Sequence, residues 1–128
     1  MKRRFESSLF DIRTLVQADL FDNGLDAADD LNNKGFSRGA GAIAGVVLEG
    51  HLATIGENHE LSVPKNPTIS KLNDLLKDKG VLDIPTWRFV QHLGDLRNLC
   101  DHKRDDDPTK QQMQELIEGV RKITKTVF

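Results

Sequence analysis

A chain of 128 residues, 38% hydrophobic and 30% charged, fits one globular domain with a polar surface, large enough to bury a core without staples. Its net charge of −2 excludes a global positive field for nucleic acid, so any such contact must come from a local basic cluster. A single cysteine, Cys100, excludes an intrachain disulfide and any zinc module built on several cysteines of one chain, and makes a reducing cytoplasm the expected location.

Apolar residues recur at helical spacing along the whole chain and never alternate with polar ones over a strand's length. The expectation is an all-α fold, an antiparallel bundle of four to five helices forming one domain over residues 1–128. The N-terminal MKRRFESSLFDI is basic, but Glu6 and Asp11 interrupt any apolar run, which argues against a signal peptide. Phe5, Leu9, Ile12, Leu15, Val16 and Leu20 carry the stripe of the first helix. Asn23-Gly24 either ends that helix or kinks one that continues to about Asn33, with Gly35 as the stop.

SRGAGAIAGVVLEGHLATIGEN, from Ser37 to Asn58, is apolar and rich in small residues. Its glycines cost helix propensity, roughly 1 kcal/mol each relative to alanine. That cost is tolerable where something packs very close, so Ala40, Gly41, Ala44 and Gly45 should form the tight face of a central helix. Its longest apolar run, Ala42–Leu48, is too short to span a bilayer, and no membrane contact is expected. A short helix follows in PTISKLNDLLKDKG, with Leu72, Leu75 and Leu76 inward. Another begins at IPTWRFVQHLGDLRNLCDH, with Trp87, Val90, Leu93, Leu96 and Cys100 as its stripe. The last helix begins near Pro108, with Thr109 and Gln112 as a capping box and Met113, Leu116, Ile117, Val120, Ile123 and Val127 buried. Pro-Thr occurs at three expected helix starts, where proline fits the first turn and threonine can cap. A chain that starts and ends in helix would suit the C-terminal domain of a longer protein.

Chemistry concentrates in GDLRNLCDHKRDDDP, Gly94–Pro108. One reading is an ordinary charged helix end: Arg97 and Asp101 form a surface i, i+4 pair, and His102 suits a helix C-terminus. The other is a catalytic centre on a rigid stripe. At about 100° per residue Arg97 and His102 lie about 140° apart on a continuous helix. They meet only if the helix ends near Asp101 or the arginine bends around it. Asp95, Asn98 and His102 share a face at i, i+3 and i+7, so Asp95 or Asn98 can orient the imidazole.

RNLCDH resembles the R-x4-6-H motif of HEPN domains, with the polar residue that commonly follows the arginine, Asn98 here. The small-residue helix with its Val-Leu-Glu segment lies upstream, and a Pro-Thr loop leads into a last amphipathic helix, so the resemblance covers roughly residues 36–128. It implies an all-α, usually dimeric domain. Many such domains are metal-independent endoribonucleases of toxin–antitoxin, phage-defence and RNA-processing systems, while others serve as non-catalytic binding or dimerisation modules. Carried over by position, Arg97 and His102 become the catalytic pair, with Asn98, Asp95 and Glu49 in support and Lys103 and Arg104 on the RNA. No cofactor and no metal are implied. The partners implied are a second copy, RNA, and a cognate antitoxin or fused N-terminal domain. One toxin branch carries a tyrosine two residues after the histidine as a target of AMP transfer; here that position is Arg104 and the chain has no tyrosine, so that regulation cannot operate.

Other candidates are weaker. Glu49 and His51 point about 200° apart on one helix, so at most one faces a shared cleft; the resemblance implies an acidic position at Glu49 that can pair with Arg97, and the other reading is a solvent-facing or structurally paired glutamate. His51, His59, His92 and His102 lack any metal-ligand spacing. Cys100 on an apolar stripe reads as a small core residue rather than a nucleophile. The glycines follow no phosphate-loop pattern, and Asp105–Asp107 read as a solvated lead-in to the last helix.

Overall fold

The computed structural model describes the backbone of residues 2–101 and 107–128, and their side chains except those of 2–11, 13 and 14. Among the described residues five α-helices follow one another: α1 (Lys2–Asn33), α2 (Ser37–Asn58), α3 (Ile69–Asp78), α4 (Ile84–Asn98), extended by a 3-10 turn over Leu99–Asp101, and α5 (Lys110–Thr126). No strand occurs among the described residues, and the all-α bundle stands as expected from the periodicity.

Local sequence sets the boundaries. α1 runs unbroken through Asn23-Gly24 and ends at Gly35, whose φ of +90° lets the Phe36 N–H return to the Leu31 carbonyl at 2.8 Å. That is the left-handed cap that glycine makes without steric cost. Gly80, with φ +73°, ends α3 the same way. Thr68 caps α3, accepting from Lys71 N at 3.1 Å. Thr109 and Gln112 form the reciprocal capping box of α5. At α4 the expected threonine cap is replaced: Asp83 is the N-cap, and its carboxylate accepts from the N–H of Thr86 at 2.9 Å. A carboxylate takes that position well because it also meets the positive helix end. Hydrogen bonds from the Thr86 side chain and backbone hold the Asp83 carboxyl below its ordinary range.

α2 is the spine and touches every other helix. Its small residues Ala40, Gly41, Ala44 and Gly45 are buried, as the tight-packing expectation required. A Cβ added at Gly41 would meet the sulfurs of Cys100 and Met113, and one added at Gly45 would lie 2.6 Å from Arg97 Cδ. By length and composition Ser37–Asn58 could cross a membrane, but 56% of that stretch is buried inside the bundle, as a core helix is.

Leu25, Leu48, Leu52, Leu72, Leu76, Leu93, Met113, Leu116 and Ile117 form the centre, all at 0% exposure. Each such side chain contributes roughly 1.5–3 kcal/mol of burial free energy. Trp87, expected on the inner stripe, is half-exposed instead, and Cys100 is only half-buried. The polar ties join helices far apart in sequence. Fully buried Asn32 donates to the Lys110 carbonyl at 2.9 Å and accepts from the Ser37 hydroxyl at 3.2 Å, joining three helix ends. Arg121 forks to Asp26 and Asp29 and ties α5 to α1.

Candidate functional site

Leu93 and Leu96 anchor the last turns of α4 in the core, at 0% and 7% exposure, so the backbone that carries Arg97 is fixed. The aliphatic part of Arg97 lies directly on the α2 backbone at Gly45. No side chain larger than hydrogen fits beneath it, which gives the glycine a specific use. The guanidinium reaches forward, and Nη1 donates to Asp101 Oδ1 at 2.9 Å. Regular α-helix ends at Asn98 and tightens into the 3-10 turn. His102, Lys103 and Arg104, with Asp105 and Asp106 of the acidic block, lie outside the described residues.

A second arginine frames the same turn. Arg38, at the start of α2, donates from Nη1 to the Cys100 carbonyl at 2.9 Å and from Nε to Asp107 Oδ1 at 2.6 Å. It therefore ties Cys100 to Asp107. Sequence reasoning missed it, because its partners lie 62 and 69 residues away and no short-range spacing announces them.

Beside Arg97 opens a cleft of about 560 Å³ between α2, α3 and α4. Glu49 and Val46 line it from α2, Ser70, Asn73 and Asp74 from α3, and Trp87, Gln91, Asp95, Arg97 and Asn98 from α4, with Asp101 at the end. The expected site residues Arg97, Asn98, Asp95 and Glu49 are thus brought to one cleft. Arg97 pairs with Asp101, its neighbour one turn on, rather than with Glu49. Among the residues lining the cleft, four carboxylates (Glu49, Asp74, Asp95, Asp101) face one cation, Arg97.

Two further lining residues carried no sequence signal as site residues. Asn73 is 2% exposed; its amide nitrogen donates to the Trp87 carbonyl at 2.9 Å, and its Oδ1 has no hydrogen-bond partner. A buried acceptor left unpaired costs about 1–3 kcal/mol. Trp87 is held in place by its indole N–H on Asp74 at 2.9 Å and by Lys77 Nζ 4.2 Å from its ring.

The remaining candidates sit elsewhere. His51 points away from the cleft, as the angular separation from Glu49 requires. It is buried, its Nε2 donates to the Val127 carbonyl at 2.6 Å, and burial lowers its pKa. His92 pairs with Glu115 at 2.9 Å, and His59 approaches the Phe128 carbonyl at 3.4 Å. Among the described residues no three His, Cys, Asp or Glu side chains assemble a metal-binding group. Cys100 Sγ lies 3.6 Å from Met113 Sδ. Burial raises its pKa, the opposite of what an activated thiolate needs.

Comparison of the chain with protein-family models, curated proteins and solved structures finds no match.

Proposed function

We propose that this chain is a metal-independent endoribonuclease domain of the HEPN type, from a toxin or phage-defence setting, that cleaves RNA with Arg97 and His102. The observation that carries the reading is the seat of Arg97. The aliphatic part of Arg97 is laid on the central helix at Gly45 and its guanidinium stands beside an open cleft, five positions before the histidine of RNLCDH.

In the proposed reaction the 2′-hydroxyl attacks the adjacent phosphorus and loses its proton, while the 5′-oxygen leaves and gains one. The products are a 2′,3′-cyclic phosphate and a 5′-hydroxyl. A histidine near neutral pKa serves one of these proton transfers, an effect typically worth about 10²–10⁴ in rate. Arg97 stabilises the charge that builds on the phosphoryl oxygens, where a planar guanidinium binds in a bidentate manner. One chain supplies one motif histidine. A two-fold contact at the cleft rim, where Val46 is 73% exposed, supplies the second. Lys103 and Arg104 extend the basic contact to the RNA backbone.

The decisive experiment incubates the purified chain with single-stranded RNA in EDTA. Cyclic phosphate ends that disappear in His102→Ala and in Arg97→Ala are expected; a wild type that cuts no RNA, in the absence of any inhibitory partner, overturns the proposal. The acidic lining of the cleft favours a second reading, a non-catalytic helical module that binds a protein partner through that surface. On that reading alanine at Arg97 and His102 together leaves partner binding unchanged.

A further inference from the structure

We infer that the inner end of the cleft, between α3 and the first turns of α4, is a binding site for the guanidinium of an arginine side chain presented by a partner protein. Asn73 carries the inference. It lines the cleft, is 2% exposed and spends an amide N–H on the Trp87 carbonyl at 2.9 Å. Its Oδ1 is the one buried side-chain polar atom among the described residues that has no hydrogen-bond partner. Buried polar groups are almost always paired, so an unpaired acceptor in the wall of a cleft needs a donor from outside the chain.

The charge of the cleft defines the donor. Glu49 and Asp95 line it and have no hydrogen-bond or ion-pair partner among the described residues. Asp74 uses one oxygen, Oδ1, to accept from the Trp87 indole N–H. Arg97, the one cation among the lining residues, is already paired with Asp101. Lys77 Nζ sits 4.2 Å from the Trp87 ring but pairs with Asp78. The carboxylates do not converge on a metal: among the described residues no three such side chains stand close enough to hold one. Acceptors spread in this way suit a cation whose donors are spread as well. A guanidinium presents five N–H donors in a flat fork and can reach Asn73 Oδ1 and a carboxylate together, whereas an ammonium is a compact point charge. Distance keeps the guest clear of Arg97. Trp87 and Arg97 are ten positions apart on α4, roughly 15 Å along its axis. That exceeds the Debye length of about 8 Å at physiological salt, so their repulsion is largely screened. A cleft of about 560 Å³, acidic from Asp74 to Asp101, also has room for the residues that flank an arginine in a partner, and opposite charge favours a basic segment there.

The inference gives the acidic lining a specific guest and stands whether or not the chain cuts RNA, because its readout is binding. Trp87 is the only tryptophan and the chain has no tyrosine, so the emission of the full chain reports this end of the cleft alone. Titration at low salt with a blocked tetra-arginine peptide should shift that emission saturably. The peptide should bind at least about tenfold more tightly than tetra-lysine. Asp74→Asn and Asp95→Asn keep shape and lose charge, and each should weaken the arginine peptide several-fold. Asn73→Ala should remove its advantage over the lysine peptide, with circular dichroism checking that the helices persist. Glu57→Gln, an exposed carboxylate outside the cleft, should change nothing. Arg97→Ala, which abolishes cutting on the nuclease reading, should leave the arginine peptide bound, so the two ideas fail separately. No binding of the arginine peptide by emission and by calorimetry overturns the inference. So do equal affinities for the two peptides, an affinity that Asp74→Asn and Asp95→Asn do not reduce, or tighter binding of guanosine monophosphate than of the arginine peptide.

Discussion

The two halves of α1 carry apolar residues at the same helical spacing and meet opposite fates. From Phe21 onward the helix lies in the bundle, with Leu25 and Ala28 out of water and Arg121 gripping Asp26 and Asp29. Before that point Ile12, Leu15, Val16 and Leu20 stand in solvent. Both halves satisfy the same periodicity, so amphipathic spacing identifies a helix without saying whose core its apolar face joins. Contact with α2 and α5 decides that, and in the first half the apolar stripe has rotated to the far side.

The largest expected effect breaks the equivalence of the halves directly. Leu25→Ala removes a fully buried side chain and leaves a cavity, which should destabilise the chain by about 2–5 kcal/mol and lower Tm by on the order of 10 °C. Leu20→Ala, four-tenths shielded at most, should change monomer stability by no more than about 0.5 kcal/mol. Thermal melts of the two variants at low concentration check the contrast. Equal losses would mean that the first half of α1 is packed in the monomer after all.

The same contrast explains how much was legible in the sequence. Helix ends were readable because their signals are local: a glycine at positive φ at Gly35 and Gly80, a threonine three residues before its N–H donor at Thr68 and Thr109. Asn23-Gly24 was ambiguous because Gly24 costs the helix only about 1 kcal/mol, and packing of Leu25, Ala28 and Asn32 outweighs it. Within the site, Arg97 and its neighbours were readable from one short motif, and the small face of α2 foretold a close approach. What approaches Gly45 turned out to be the motif arginine itself. Asn73 and Arg38 were not readable, since both act through groups brought together by tertiary packing. The Glu49–Arg97 pair did not form because Asp101, one turn along the same chain, is the nearer partner.

A smaller effect separates the two ends of α2. At its C-terminal end His51 is buried against Phe21 and Phe128 and donates to the Val127 carbonyl. Burial lowers its pKa below the ordinary 6.5, so the folded chain prefers the neutral ring while the unfolded chain protonates near 6.5. The unfolded state therefore binds more protons just below that pH. The stabilisation is complete above pH 6.5 and is lost as pH falls from 6.5 through the folded-state pKa. Melts at a series of pH values should show a steeper decline on acidification for the wild type than for His51→Gln, which keeps a donor for Val127 but cannot titrate. Parallel curves for the two proteins would remove His51 as the cause.

The smallest expected effect on stability lies at the other end of the spine and bears most on function. The Arg97–Asp101 pair is an i, i+4 contact whose acidic partner is 67% exposed, so Asp101→Asn should cost only about 0.3–0.5 kcal/mol. Its effect on RNA should run the other way. In the free chain Asp101 occupies a donor of the guanidinium that a phosphate would use, and three more carboxylates line the same cleft. Neutralising Asp101 frees that donor and lowers the charge the phosphate must approach. If Arg97 meets RNA, Asp101→Asn should tighten binding and lower KM with no loss of fold, while Gly45→Ala, whose Cβ takes the seat of Arg97, should weaken both. If the acidic lining of the cleft binds a protein partner instead, Asp101→Asn removes one of its four carboxylates and weakens that partner, and neither substitution changes RNA binding. Filter binding with RNA over a series of salt concentrations separates the two, because a phosphate contact carries a salt dependence of slope about −0.7 per charge on a single strand.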